Sequence, residues 1–130
     1  LIATWLDKNH LADLLALGNE LGLSVLVETH SEKDMEKAFA AGGSILGINN
    51  RNLTSGKTDL EIGRRLTPMA LQIPGNLLVC ESGIHSRAEI EEFEKLGMHS
   101  FLIGESLMTA ENIGEKLKEL TGARKVSAAS

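Results

Sequence analysis

The sequence predicts an α/β fold: the C-terminal half of a parallel (β/α)8 TIM barrel, from the end of strand four to helix eight. Three observations carry that reading. The runs Ser24-Val-Leu-Val-Glu28, Ser44-Ile-Leu-Gly-Ile-Asn49, Leu77-Leu-Val-Cys-Glu81 and Ser100-Phe-Leu-Ile-Gly104 are apolar stretches of strand length, each ending on a polar residue or glycine. A helical pattern follows every one, and alternation at this interval is the signature of βαβ units. The chain has 130 residues, about half of the roughly 250 that a complete barrel needs.

The elements are justified in order. Leu1-Ile-Ala3 reads as the tail of a strand whose beginning lies upstream, so the chain reads as a C-terminal piece of a longer protein. Asp7 or Asn9 caps a helix over about Lys8–Leu21, with Leu11, Leu14, Leu15 and Leu21 as its apolar stripe and Gly22 as its stop. Strand Leu23–Glu28 follows. Ser31 caps a helix burying Met35, Ala38 and Phe39, which Gly42-Gly43 ends before strand Ser44–Asn49. A polar loop, Arg51–Lys57, leads to a helix from Asp59 with Ile62, Leu66 and Met69 inward, ended before Pro74-Gly75. Strand Asn76–Cys80 comes next. Ser86-Arg-Ala-Glu89 matches a capping box, opening a helix that buries Ile90, Phe93 and Leu96. Strand Met98–Ile103, a helical turn near Ser106–Met108 and a helix over about Glu111–Leu120 complete the order. Residues 1–122 form one half-barrel unit, and 123–130 read as a frayed tail. Continuous apolar strands are expected where both faces of a parallel sheet are covered.

Composition narrows the function classes. The net charge is −5 and aromatic residues make up 3% of the chain, which speaks against a nucleic-acid partner. A single cysteine, Cys80, excludes an internal disulfide framework and fits a reducing, cytoplasmic setting. No apolar run reaches membrane-spanning length.

The candidate chemistry lies where the strands stop, because barrel active sites gather at the C-terminal ends of the strands. Glu28 and Glu81 each sit at a strand mouth, where a carboxylate serves as an acid or base, or merely as a solvated end. Asn49 offers a donor and an acceptor to a substrate hydroxyl, or simply makes a turn. Arg51 would clamp a carboxylate, pair with Glu81, or form a plain surface ion pair. Ser82-Gly83 and Gly104-Glu105 follow the last two strands, where barrels often hold phosphate; glycine lets backbone N–H groups approach the anion. His10, His30, His85 and His99 show no metal-ligand spacing, and Ser82 has no evident His–Asp partner.

These same residues carry a resemblance. Leu26-Val-Glu28-Thr-His30, Ile45-Leu-Gly-Ile-Asn49-Asn50-Arg51-Asn-Leu53, Glu81-Ser-Gly-Ile84 and Ile103-Gly-Glu-Ser-Leu-Met108 closely resemble indole-3-glycerol-phosphate synthases, over Leu1 to about Gly122. The resemblance implies closure of the indole ring of 1-(2-carboxyphenylamino)-1-deoxyribulose 5-phosphate, with loss of CO2 and water, and neither metal nor organic cofactor. It implies that Glu28 is a general acid/base and that Asn49 contacts the substrate. It places Glu81 near the anthranilate ring with Arg51, and the phosphate on Ser82, Gly83, Gly104 and Glu105, the last through its backbone N–H.

The sequence departs from the family in what it contains. The family's catalytic lysine and a further Glu and Lys pair belong to the first three strands, which have no counterpart here. Ile2-Ala-Thr-Trp-Leu6 is unusual after strand four, and Cys80 stands where a small residue is typical. The chain by itself is therefore expected to be inactive, to require the N-terminal half of the barrel, and to self-associate through its open sheet edges. Two other readings remain open at the level of sequence: a phosphoribosylanthranilate isomerase-like barrel, and a non-catalytic phosphate-binding half barrel.

Overall fold

The computed structural model describes residues 1–122; the expected tail at 123–130 lies outside them. Four strands, β1 (Leu26–Thr29), β2 (Ile45–Asn49), β3 (Leu77–Glu81) and β4 (Ser100–Leu102), form one sheet in that order. Every pairing is parallel. Sequential order in a parallel sheet with right-handed crossovers places the connecting helices on a single face. Those helices are α1 (Lys8–Glu20), α2 (Glu32–Ala40), α3 (Glu61–Ala70) and α4 (Arg87–Lys95), followed by the short α5 (Glu105–Met108) and α6 (Ile113–Thr121).

Local chemistry sets the boundaries. The Asp7 side chain accepts from the backbone N–H groups of Asn9 and His10, Ser31 caps α2, and Ser86 with Glu89 completes the capping box of α4. The last helix starts two residues later than the pattern suggests, because the Asn112 side chain accepts from the Glu115 N–H and fixes the start at Ile113. Likewise α3 begins at Glu61, whose N–H is held by the Asp59 carboxylate (3.0 Å).

The expected strand tail at Leu1-Ile2 pairs with β1. Ile2 bridges Glu28 in parallel, and the Glu28 N–H donates to the Leu1 carbonyl (2.7 Å). The chain then turns through a 3-10 helix at Ala3–Trp5. Lys37 donates to the Leu6 carbonyl (2.7 Å) and to that of Ala3, and the Thr4 hydroxyl donates to Asp34 (2.7 Å), anchoring this turn to α2.

The core lies between the sheet and its helices. Val27, Leu46, Ile48, Leu78 and Cys80 alternate along the strands and meet Met35, Ala38, Leu66, Ile90 and Phe93 from the helices. Two expectations need correction. Among the described residues the helices cover one face of the sheet only; on the other, Leu77 and Leu102 are half exposed. In α1, Leu11 and Leu15 are buried as expected, but Leu14 and Leu21 are exposed. They line a hollow at the β1 edge with Leu17 and Leu23, because α1 flanks the sheet margin and only part of its apolar arc meets the core.

Candidate functional site

Register brings the strand-end residues together. Glu28 stands beside Gly47, and Asn49 beside Glu81, all on the sheet face opposite the helices. The Asn49 amide donates to Glu28 Oε1 (2.6 Å), while its Oδ1 accepts from the Arg51 N–H (2.9 Å). The same side chain thus shapes the turn leaving β2, one of the two roles open to it in the sequence, and also holds a carboxylate. His30, at the end of β1, donates from Nδ1 to the Asn49 carbonyl (2.9 Å) and braces this arrangement.

Glu81 is different. It is 6% exposed, and its Oε1 has no hydrogen-bond partner among the described residues. Burial pushes its carboxyl up to about 7, and the nearby charge of Glu28 adds to that. Glu28, Asn49 and Glu81 therefore converge on one rim: one carboxyl bridged by an amide, the other buried with its Oε1 unpaired among the described residues.

The next strand ends build a second part of the rim. Ser82 (φ 65°) and Gly83 (φ 79°) take consecutive left-handed conformations, turning the chain sharply after β3. Gly83 and Gly104 lie on one cleft of about 190 Å³, together with Arg51, Ser82, Glu105 and Ser106. The two glycine loops expected to share a ligand thus face the same space. Ser106 was not singled out from the sequence. Its Oγ is buried in this cleft wall without a hydrogen-bond partner among the described residues. The sequence signal for it is its place directly after Gly104-Glu105, in the segment that carries the resemblance.

Among the pairings open to Arg51 in the sequence, the structure shows an exposed ion pair with a carboxylate, not a pair with Glu81. Its guanidinium pairs with the Glu105 carboxylate and donates to the Gly56 carbonyl (2.9 Å), leaving Glu81 alone. The reason is geometric: Glu81 turns inward over β2, whereas Arg51 follows its loop toward the end of β4. The Arg51–Glu105 pair is solvent-exposed and worth little by itself, so an incoming anion can compete for the guanidinium.

Asn50 is the residue that sequence reasoning missed most. It is fully buried. Its Nδ2 donates to the carbonyls of Glu81 and Ser82 (both 3.1 Å), and its Oδ1 accepts from the Gly63 N–H (2.9 Å). The Asp59 N–H donates to its backbone carbonyl (2.8 Å). One amide therefore ties the β2 exit, the β3–α4 loop and the start of α3. Strand alternation offered a signal: if Asn49 faces the rim, Asn50 must face the helices, where an unpaired amide is costly. Gly63 permits the approach, since a Cβ there would stand 2.6 Å from Phe93 and 2.8 Å from Asn50 Oδ1.

Cys80 lies in the helix-facing row, and burial pushes its thiol up to about 11, as fits a core residue. Among the described residues, no three His, Cys, Asp or Glu side chains gather where they could hold a metal ion. No helix among them is long and apolar enough to cross a membrane.

Comparison with known proteins gives this rim a context. The family model for indole-3-glycerol phosphate synthase matches residues 1–120. Relatives described as indole-3-glycerol phosphate synthase include one from Campylobacter curvus, 41% identical over 120 residues, which cover 92% of this chain and 45% of that protein. Another, from Roseiflexus sp., is 43% identical over 122 residues, covering 94% and 45%. A third, from Desulfosudis oleivorans, is 44% identical over 120 residues, covering 92% and 45%. The chain thus spans somewhat less than half the length of these relatives. Among solved structures, a chain of the Amycolatopsis orientalis BexX/CysO complex superposes with a TM-score of 0.59 at 18% identity, over 90% of this chain and 50% of that one. That likeness concerns the fold.

Proposed function

Since the chain belongs to the indole-3-glycerol phosphate synthase family, we propose that residues 1–122 supply the second half of a barrel that closes the indole ring of 1-(2-carboxyphenylamino)-1-deoxyribulose 5-phosphate, with loss of CO2 and water. The observation that carries this reading is the single rim on which a bridged carboxylate, a buried carboxyl and a two-glycine cleft meet.

The roles follow from the surroundings of each group. Ring closure needs a proton delivered to a carbonyl oxygen as the aromatic carbon attacks it, and later proton removals as the ring is restored. Glu81, with its carboxyl near 7, can hold or release a proton at neutral pH. Glu28, fixed by the Asn49 amide, is the partner acid/base. Arg51 receives an anionic group of the substrate after giving up Glu105, and the Ser82 side chain lines its path. The phosphate is held by Ser82, Gly83, Gly104 and Glu105, through backbone N–H groups at the β3 turn and the start of α5.

The first carbonyl protonation calls for a cationic acid, and the resemblance assigns that to a lysine from the preceding half of the barrel. The chain alone is therefore expected to be inactive. The test is complementation: the chain mixed with the N-terminal half of a relative should form indole-glycerol phosphate, while neither part does so by itself. Glu28→Gln or Glu81→Gln should lower the complemented rate by about 10²–10⁴-fold. Turnover by the chain alone, or an unaffected rate in both variants, would overturn the proposal.

A further inference from the structure

We propose that Gly47 is a positioning residue for Glu81: the side chain it lacks leaves the notch into which the Glu81 carboxylate folds. A Cβ built on Gly47 would stand 1.6 Å from Glu81 Oε1, 2.7 Å from its Cδ and 3.5 Å from its Cγ. The acid occupies the space that any other residue would fill.

The backbone gives no other reason for glycine here. Gly47 lies in the middle of β2, paired with Glu28 on one side and Val79 on the other. It is absent from the positive-φ glycines among the described residues, so its conformation is open to ordinary residues. Glycine in a strand interior weakens the strand and often marks a close approach by another group. The approaching group is the Glu81 carboxyl, which reaches back from the neighbouring strand over β2. That placement accounts for two facts: Oε1 is buried without a partner, and Glu81 stays clear of Arg51.

The obstructing atoms belong to the far end of a flexible side chain. Gly47→Ala should therefore fold, with the carboxylate expelled from the notch toward water. This inference rests on Glu81 belonging to the functional rim, but its test needs no turnover, so it can fail while the proposed reaction stands, and the reverse.

The experiment is a carbon-13 NMR titration of the full chain labelled at glutamate carboxyls, with the Glu81 signal assigned by its loss in Glu81→Gln. In the parent chain Glu81 should titrate near 7. In Gly47→Ala the midpoint should fall by about one pH unit or more as the carboxyl regains water. An unchanged midpoint in a folded Gly47→Ala chain would overturn the proposal. If Gly47→Ala does not fold, Gly47→Ala combined with Glu81→Ala decides. Recovery of the fold in the double variant supports a clash between these two residues alone, and persistent unfolding would show that Gly47 serves the backbone instead.

Discussion

The two faces of the sheet differ in what completes them. On the helix side, Val27, Leu46, Ile48 and Cys80 are wholly buried, covered by helices that follow or precede their own strands. On the other side the strand ends carry Glu28, Asn49 and Glu81, with Leu102 level with Glu81 and Val79 level with Glu28, and below them Leu26, Ile45 and Leu77 on the same face. Leu77 and Leu102 there are 50% and 52% exposed. The first face is finished by sequence neighbours; the second is left open by the described residues. Apolar side chains at the base of an open face, beneath an ordered polar rim, are what a half barrel looks like when its local packing is complete and its long-range packing is not.

That contrast can be tested from its largest expected effect downward. Phe93→Ala removes a fully buried ring that packs against Gly63 on the finished face. It should cost about 3–5 kcal/mol in urea unfolding, enough to unfold much of the population.

The polar rim should show its strain through pH. The Glu81 carboxyl is raised in the fold from its ordinary value of 4.5 to about 7, so the folded chain keeps a proton that the unfolded chain gives up. Stability should therefore fall as pH rises through that window and level off above it, by about 3 kcal/mol at most. Glu81→Gln should abolish this trend and be the more stable form at pH 8. A parent chain as stable at pH 8 as at pH 5 would refute the assignment.

Asn50→Ala strands the Ser82 carbonyl and the Gly63 N–H, while the Glu81 carbonyl keeps the backbone N–H of residue 50, and should cost about 1–3 kcal/mol. Hydrogen exchange should quicken in the loop after β3 before it does in β1. The smallest change is expected on the open face. Leu102→Lys should alter the stability of the chain by less than about 0.5 kcal/mol. Its effect should appear in light scattering, as smaller species, because a lysine on the β4 edge discourages pairing with another sheet.

The parts of the molecule legible in sequence are those decided locally. The capping residues Asp7, Ser31 and Ser86 act within a few positions of themselves, and the apolar runs place all four strands within a few residues of their observed ends. Glu28, Asn49 and Glu81 were legible as rim residues for the same reason: each closes a run. What escaped depends on distant partners. Arg51 finds Glu105, 54 positions away, only because its loop folds back through a bridge to Thr58. The exposure of Leu14 and Leu21 depends on where the sheet ends, which periodicity within α1 does not encode. Nothing in the sequence around Gly47 marks it, because its role depends on an acid from the neighbouring strand that lies over it.

Asn50 has a practical consequence for anyone reshaping this protein. Because one amide grips a helix start and two loop carbonyls at once, the segment between β2 and α3 is not a free cassette. Grafting a foreign loop over residues 51–58 should succeed only if Asn50 and Gly63 travel as a fixed pair, like a pin and its socket. A graft that replaces either would misalign the neighbouring cleft at Ser82–Gly83 and Gly104 without touching any residue that lines it.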